Sequence, residues 1–387
     1  GAVGPSQDGR RHRRHRVRSA LGSSQPVETV LCGIGGYGEF YLDRFLGPAD
    51  SPIRFIGFVD PSPEHSRFRT PIRDAGIPVH ASLEEFYATR DAALAILASP
   101  IQHHGPQIMC AFEHGSNVLC EKPLCGTTKE ACRLLDAQRQ SGLVAAVGYQ
   151  FAFTSGTQRL KADIMEGVWG QPIRLKCLAH GPRSREYYLR NRWAGRVRDE
   201  AGRWILDSPV NNAMSHYLHL MLYLLGDAAD RGAVPVDVQA QLYRAHKIEN
   251  YDTAFIRATL PCEAEVIFVT SHLGTGGHGP LLELEFERGT IRSNSTSSGM
   301  VGLLDDGSRR DYGTVFGHGH DKVLDTLAAI AQGREPLCGI AAAMCQTLCM
   351  DGAQESGTPV VEIPHDLVTE VEDAGQLDFA DARFEER

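Results

Sequence analysis

The chain has 387 residues, of which 42% are hydrophobic and 22% charged, and its formal net charge is −9. Single cores stop growing at about 250–300 residues, so a chain of this length is expected to form two domains. The acidic balance disfavours nucleic acid as the main partner. The absence of an uninterrupted run of about 18 apolar residues argues against a membrane-spanning helix. Ten scattered cysteines with no C-x-x-C pair favour reduced thiols, a cytoplasmic protein and no thiolate metal site.

The two ends of the chain differ in composition from the rest. Residues 1–26 contain six arginines and one acid without an apolar core, which predicts a disordered basic extension or an expression remnant. Residues 366–387 form an acidic C-terminal segment. The remaining chain divides into a nucleotide-binding domain over residues 27–150 and a second domain over residues 151–365.

A glycine motif follows the first apolar run of the chain. Gly33, Gly35 and Gly38 fit G-x-G-x-x-G, with a short strand before them and a helical pattern after them. In this context the first glycine allows the tight turn, the second lets a pyrophosphate approach and the third permits close helix packing. The predicted cofactor contacts in the turn also include Ile34 and Tyr37.

A second strand ends in Asp60, where an acid would bind the ribose 2′-hydroxyl of a dinucleotide. This residue favours NAD over NADP because it would repel a 2′-phosphate, although the nearby Arg67 and Arg69 keep NADP open. Short apolar strands then alternate with helices as far as residue 147. The alternation predicts an α/β domain with a Rossmann-type, doubly wound parallel sheet.

From about residue 151 the pattern changes to alternating stretches joined by turns. They predict an α+β domain with an open, mostly antiparallel sheet that is covered on one face. Two helices interrupt the stretches, at residues 210–225 and 321–330. The segment Gly317-His318-Gly319-His320 contains two histidines but has no acid or cysteine at ligand spacing, so no metal site is predicted.

Three motifs resemble those of the glucose–fructose oxidoreductase, inositol dehydrogenase and rhizopine-catabolism (Gfo/Idh/MocA) family. They are the glycine turn, Ser99-Pro100 with His104, and Glu121-Lys122-Pro123. The resemblance implies a nucleotide domain followed by an open-faced sheet, and redox chemistry at a sugar or cyclitol hydroxyl. It also implies cofactor contacts at Ser99, Pro100 and His104, a catalytic Lys122, and a Glu121 that positions the lysine and the cofactor.

The resemblance extends to a helix that carries His216 and His219. His216 stands at the catalytic histidine of the family. The family commonly has an aspartate four residues earlier, where this chain has Asn212, which cannot act as a general base. Asp207 lies five residues further upstream. Either Asp207 is the counterpart of that aspartate or Asn212 only binds the substrate, and both alternatives stay open.

Further residues are predicted to contact the substrate. Tyr149 and Gln150 follow the last strand of the nucleotide domain, and His219 lies on much the same helix side as His216. The segment 180–193 is rich in arginine and aromatic residues, which suit anionic groups and sugar rings. From it we select Arg183, Tyr187 and Trp193, against the alternative of a solvated loop.

These features predict an NAD(P)-dependent oxidoreductase that transfers a hydride between a sugar, cyclitol or related polyol and the cofactor. Its expected partners are a small-molecule substrate and further copies of itself, as a homodimer or homotetramer, with no nucleic acid or membrane. One alternative is a glycosidase or lyase that retains NAD and oxidises the sugar transiently. Another is a nucleotide-sensing regulator without catalysis.

Overall fold

The structure is a computed structural model that describes residues 25–317, 319–371 and 375–379. Residues 1–24 of the predicted basic extension lie outside the described residues. The same holds for residues 380–387 of the predicted acidic segment. The chain divides into two compact units. Of the described residues, the first unit contains those up to Cys125, Lys129–Gly148 and Gly319–Ile340, and the second contains Gly126–Thr128, those at 149–317 and those from Ala341 onward.

The first unit contains a parallel sheet in the order β3-β2-β1-β4-β5-β6. Its strands are β1 Val27–Cys32, β2 Ile53–Val59, β3 Val79–His80, β4 Leu94–Leu97, β5 Asn117–Cys120 and β6 Ala145–Val147. Its helices are α1 Gly38–Phe45, α2 Arg69–Asp74, α3 Leu83–Thr89, α4 Ile101–Glu113 and α5 Thr128–Ser141. This is the strand order of the dinucleotide-binding fold, so the predicted Rossmann-type sheet is confirmed.

The second unit contains a larger sheet in the order β14-β13-β12-β11-β7-β10-β9-β8-β15. Its strands are β7 Pro172–His180, β8 Asp237–Arg244, β9 Thr253–Thr259, β10 Glu265–Ser271, β11 His278–Phe286, β12 Gly289–Ser293, β13 Met300–Leu304, β14 Arg309–Gly313 and β15 Val361–Glu362. The pairs β7–β10 and β8–β15 are parallel and the other pairs antiparallel. The predicted mostly antiparallel sheet is therefore confirmed.

One face of this sheet is covered by helices and the other is open. The helices of the unit are α6 Ser155–Met165, α7 Arg185–Leu189, α8 Ser215–Leu224 and, later in the chain, α10 Ile340–Ser356. Side chains of α8 and α10, such as Leu218 and Met350, join the core with alternate residues of the strands, such as Val266 and Phe268. A hairpin of β16 Val368–Val371 and β17 Gln376–Phe379 lies within the acidic segment.

Helix α9, His320–Gln332, belongs to the first unit although it follows the second unit's main sheet in the chain. Val323, Leu327 and Ile330 pack into the same core as Leu31 and Leu119. The sequence prediction had this helix in the second domain because it followed chain order. Within the described ranges, no helix combines the length and apolar character that a membrane crossing requires.

Candidate functional site

The glycine turn between β1 and α1 is shaped by close backbone packing on one side and open space on the other. Gly33 has φ of 82°, and a Cβ there would lie 2.7 Å from the carbonyl oxygen of Ala98. A Cβ on Gly38 would overlap the carbonyl oxygen of Gly33. A Cβ on Gly35, in contrast, would meet nothing within 4 Å. The open side of the turn therefore fits a dinucleotide pyrophosphate next to the start of a helix.

Asp60 reaches this turn from the end of β2. Its Oδ2 accepts a hydrogen bond from the Ile34 backbone at 3.0 Å, and its Oδ1 accepts one from the Ser62 backbone at 2.9 Å. The carboxylate therefore stands at the glycine turn, where a ribose hydroxyl would bind. Arg67 forms ion pairs with Glu39 and Asp43 of α1. Of the two arginines that kept NADP open, Arg67 is thus paired with other acids.

His104 connects two loops at the carboxyl ends of β4 and β5. Its ring nitrogens lie 2.8 Å from the carbonyl oxygen of Ser99 and 2.7 Å from that of Pro123. The Ser99 hydroxyl donates to Gln107 at 2.6 Å. Because His104 is buried, its pKa is lowered, although the two carbonyls oppose this shift. The resemblance implied a cofactor contact, but the burial of His104 makes it a tie between the Ser99-Pro100 loop and the Glu121-Lys122-Pro123 loop.

Glu121 lies in a buried polar cluster rather than at the surface. Its Oε1 accepts a hydrogen bond from the Tyr41 hydroxyl at 2.6 Å and pairs with Lys322 of α9. The Lys322 ammonium also lies 3.3 Å from the Tyr37 hydroxyl. Burial lowers the pKa of Lys322, and the nearby Glu121 opposes that shift. Glu121 is therefore a buried carboxylate whose negative charge is balanced by the Lys322 ammonium.

Lys122 follows Glu121 in the chain, and its backbone contacts the Glu121 carboxylate. Its backbone N–H lies 3.3 Å from Glu121 Oε2, and its side chain is partly exposed. It follows β5 at the carboxyl edge of the sheet, which is the edge where ligands of such folds bind. A Cβ on Gly148, at the end of β6, would approach the same Glu121 carboxylate to 2.7 Å. The backbone around Lys122 is thus closely constrained by Glu121.

In the second unit, the structure brings Asp207 and Asn212 together. Asp207 Oδ1 accepts a hydrogen bond from Asn212 Nδ2 at 2.8 Å, and its Oδ2 accepts one from the Gly195 backbone at 2.6 Å. Leu206 precedes them with φ of 50°, a left-handed conformation that costs a branched residue about 1–3 kcal/mol. The two alternatives for the family aspartate are hydrogen-bonded to each other, so they form one polar pair.

His216 lies on α8 just after this pair. The sequence predicted one helix over residues 210–225, but a π-helical turn, Pro209–Ala213, precedes α8 and the two are separated at Met214. The Ser208 hydroxyl accepts a hydrogen bond from the Asn211 backbone at 3.1 Å, which caps the turn. The partly exposed ring of His216 lies 4.8 Å from the ring of Phe151.

Tyr149 and His219 are core residues, contrary to their predicted role as substrate contacts. Their rings stack at 4.0 Å with an interplanar angle of 4°, and both residues are fully buried. The Tyr149 hydroxyl donates to Gln346 at 2.7 Å. Burial lowers the pKa of His219 to about 3. Gln150 is partly buried, and its amide donates to the Gly317 carbonyl at 2.7 Å.

The arginine-rich segment is folded rather than extended. Tyr187 on α7 has the guanidinium carbon of Arg190 at 3.8 Å from its ring centre and that of Arg183 at 5.0 Å. The guanidinium carbon of Arg190 also lies 5.7 Å from the ring centre of Trp193. The three residues predicted from this segment therefore lie in one cluster. Asp207 is near enough to raise the pKa of Tyr187, after the larger effect of burial.

Residues 27–149 match the model of the Gfo/Idh/MocA oxidoreductase family, which is described as having an NAD-binding Rossmann fold. This part of the chain is therefore similar to the NAD-binding domain of the Gfo/Idh/MocA oxidoreductase family. The match covers the glycine turn, Asp60 and the Glu121-Lys122-Pro123 loop, so these residues stand in a domain of the NAD-binding type.

Comparison with individual proteins agrees with this family. The chain is 27% identical over 202 residues to inositol 2-dehydrogenase/D-chiro-inositol 3-dehydrogenase of Shouchella clausii, covering 52% of this chain and 54% of that protein. The chain thus spans about half the length of the curated relatives it matches.

Solved structures resemble the whole fold. The WlbA dehydrogenase of Chromobacterium violaceum, in complex with NADH and UDP-GlcNAcA, superposes with a TM-score of 0.70 at 21% identity and covers 88% of this chain and 97% of its own. Levoglucosan dehydrogenase, in complex with NADH and levoglucosan, gives a TM-score of 0.68 at 18% identity, with 86% and 97% covered. At these identities the likeness concerns the fold alone.

Sequence reasoning missed Lys322. It lies outside the part of the chain that matches the family model and 201 positions after Glu121. The only sequence signal was a lysine on the apolar side of an amphipathic helix, next to Val323. A lysine at such a position has to find a buried anion, but nothing in the sequence indicates which acid that is.

Proposed function

We propose that this protein is an NAD-dependent oxidoreductase that acts on a hydroxyl group of a sugar, cyclitol or related polyol. The observation that carries the proposal is the arrangement of the first unit, where the open glycine turn, Asp60 and Lys122 all follow carboxyl ends of parallel strands. The names of the relatives support the proposal, because they are dehydrogenases of inositol and levoglucosan.

The residues of the first unit fit the cofactor by charge and by shape. When bound, NAD supplies the acceptor for the hydride. The backbone N–H groups at the start of α1 suit its pyrophosphate, and Asp60 suits the hydroxyls of its adenosine ribose. The Ser99-Pro100 loop stands at the next strand end, held there by His104. Because Asp60 is anionic, we propose that NAD is preferred to NADP.

The proton of the substrate hydroxyl has to leave as the carbon loses its hydride. Lys122 and His216 are the two candidates for accepting it, since each carries a titratable nitrogen and is partly exposed. The Asp207–Asn212 pair has a different role in this proposal. Asn212 cannot take the proton, so it would orient the substrate hydroxyl while Asp207 fixes the amide of Asn212.

The first test measures NADH formation with a panel of sugars, cyclitols and glycosides. We expect Lys122→Ala to lower kcat by about 10²–10⁴ on the substrate so found. Binding of NADH, measured by fluorescence, should stay unchanged. Lys129→Ala is the matched control, because Lys129 is an exposed lysine of the same unit, and it should keep full activity.

The alternatives predict other results. Cleavage of a glycoside without net NADH would favour the glycosidase or lyase that retains NAD. Tight binding of NADH with no turnover of any polyol would favour the regulator. Near-normal kcat for Lys122→Ala would contradict the proposed proton transfer at Lys122, and the same measurement on His216→Ala then tests the other candidate.

We also propose that the protein forms homo-oligomers through the open face of the large sheet. The registers of β11, β7, β10 and β9 place Leu281, Leu178, Val269 and Phe255 side by side on this face. Leu281, Leu178 and Phe255 are 45%, 42% and 41% exposed. A contiguous exposed apolar row is typical of an interface, and a second copy of the same face would cover it.

A further inference from the structure

Four side chains of the second unit form a cationic cluster near Asp207. We call the group of Arg183, Tyr187, Arg190 and His272 the arginine cluster. The two guanidiniums lie over the Tyr187 ring, as described above, and the Tyr187 and His272 rings are 6.0 Å apart. His272 is in turn held by the Tyr188 hydroxyl, 2.8 Å from its Nδ1.

The arginine cluster contains positive charge that no described acid neutralises. Arg183 and Arg190 form no ion pair within residues 25–317, 319–371 and 375–379. Most other arginines of the second unit do pair, such as Arg174 with Glu265 and Arg203 with Asp199. Arg190 stacks on aromatic rings through its faces, so the N–H groups at its edges remain available as donors.

The cluster also contains buried polar atoms that have not found a hydrogen bond. In the described part of the chain, Arg183 Nε and His272 Nε2 of the cluster are buried and have no hydrogen-bond partner, and the same holds for Nε2 of the nearby His246. Buried polar groups are normally satisfied, so unsatisfied polar atoms beside two guanidiniums without an ion pair indicate a place for a ligand. Burial and the nearby Arg183 lower the pKa of His272, in agreement with a positive local field.

Two acids near the cluster, Asp207 and Asp252, form hydrogen bonds with other residues. Asp207 accepts hydrogen bonds from Gly195 and Asn212. Asp252 accepts hydrogen bonds from the backbone of Ala245 and His246, and its Oδ2 lies 2.9 Å from His246 Nδ1. Among the residues that the structure describes, neither acid therefore pairs with the Arg183 or Arg190 guanidinium.

We propose that Arg183 and Arg190 bind an oxyanion of the substrate, so that the substrate is an anionic sugar or polyol rather than a neutral one. The inference rests on the proposed function, because it takes Asp207 and Asn212 as the residues nearest the reacting hydroxyl. Carboxylate and phosphate share the chemistry that a guanidinium recognises, namely two or more oxygens that accept charge-assisted hydrogen bonds.

Matched ligands and variants test this proposal. D-glucose, D-glucuronate and D-glucose 6-phosphate differ at one carbon, and myo-inositol with its monophosphate forms a second set. Binding is measured by calorimetry with and without NADH, so the preference is read whether or not turnover occurs. We expect at least one anionic member to bind about 10- to 100-fold more tightly than its neutral parent. The carboxylate and phosphate arms show which oxyanion is recognised.

Arg183→Met and Arg190→Met should each remove about tenfold or more of that preference while the neutral parent binds as before. Arg185→Met is the matched control, since it removes the same charge from an exposed position of α7 and should keep the preference. Equal binding of neutral and anionic members would overturn the proposal. So would an equal loss in Arg185→Met, because it would show only a general effect of charge. Failure of the proposed function is seen separately, as absence of NADH binding or of turnover.

Discussion

At the scale of single residues, the buried pair of Glu121 and Lys322 is the most demanding arrangement in the first unit. Removing one partner of a buried pair leaves an uncompensated charge, whereas replacing both with neutral groups is often tolerated. Tyr41 can still donate to a glutamine at position 121. The loss of stability caused by substituting one of the two residues should therefore depend strongly on whether the other is still charged.

We predict that Lys322→Met lowers the free energy of unfolding by about 3–5 kcal/mol, because it leaves Glu121 buried without its cation. The double variant Glu121→Gln, Lys322→Met should recover most of that loss. Urea denaturation measures both, and Lys129→Met, at an exposed lysine, should change stability by less than about 0.5 kcal/mol. A double variant no more stable than Lys322→Met would contradict a pairwise interaction.

Asp60 is the residue that sets the expected choice of cofactor. We predict that Asp60→Ser lowers the ratio of the Kd for NADP to the Kd for NAD by about tenfold or more, because the 2′-phosphate no longer meets a carboxylate. Calorimetry with both cofactors measures the ratio. Asp50→Ser, at an exposed position of the same unit, should leave it unchanged. Tighter binding of NADP than NAD by the unaltered protein would show that Asp60 does not select NAD.

At the scale of elements, α8 carries a histidine that is folded in its neutral form. His219 is stacked against Tyr149 and Tyr223, and burial lowers its pKa from the ordinary 6.5 to about 3. The unfolded chain therefore binds a proton below about pH 6.5 that the folded chain does not bind until about pH 3. This difference makes the folded state less stable as the pH falls through that window.

We predict that the free energy of unfolding decreases between pH 6.5 and pH 5, with a contribution of about 2 kcal/mol from His219. His219→Phe keeps a stacking ring without a titrating group, so its stability should depend less on pH by that amount. Urea denaturation at both pH values measures the slopes. His65→Gln, at an exposed histidine, should retain the slope of the unaltered protein, and an unchanged slope in His219→Phe would refute the assignment.

Local patterns made some elements predictable and left others out of reach. The parallel strands could be read because continuous apolar runs such as Leu94–Leu97 are buried on both faces. Strands β13 and β14 were missed because Gly302 and the charged Arg309-Arg310-Asp311 break the alternation. The separation of the π-helical turn from α8 depends on side chains that bond the backbone locally, as Asn211 does with the Ile205 carbonyl.

The candidate site shows the same division. The glycine turn and Asp60 follow neighbouring strands that are close in sequence, so their spacing predicted that they lie side by side. The Asp207–Asn212 bond is also local, but only the structure could show that both alternatives belong to one pair. The burial of Tyr149 depends on its stacking with His219 and on Gln346, which lies 197 positions away, and no local pattern contains that information.

At the scale of the whole molecule, the open sheet face should determine assembly. The apolar row of Leu281, Leu178, Val269 and Phe255 has a charged row next to it on the same sheet face. That row contains Glu283, Lys176 and Arg257, and Lys176 forms an ion pair with Glu283. We predict that the protein sediments as a homo-oligomer and that Phe255→Arg shifts it toward monomer, because a charge in the apolar row would be buried without a partner. Met165→Arg, at an exposed apolar residue at the end of α6, should not. Sedimentation of the unaltered protein as a monomer at micromolar concentration would contradict this.

Helix α9 returns to the first unit after the chain has formed the main sheet of the second, and this has a consequence for how the protein can be recombined. A gene segment that ends near residue 149 encodes Glu121 but not the lysine that neutralises it. A chimera that exchanges nucleotide domains should therefore fold only if residues 319–340 travel with residues 27–148. Among related chains, positions 121 and 322 are expected to covary, with an apolar residue at 322 only where 121 carries no charge.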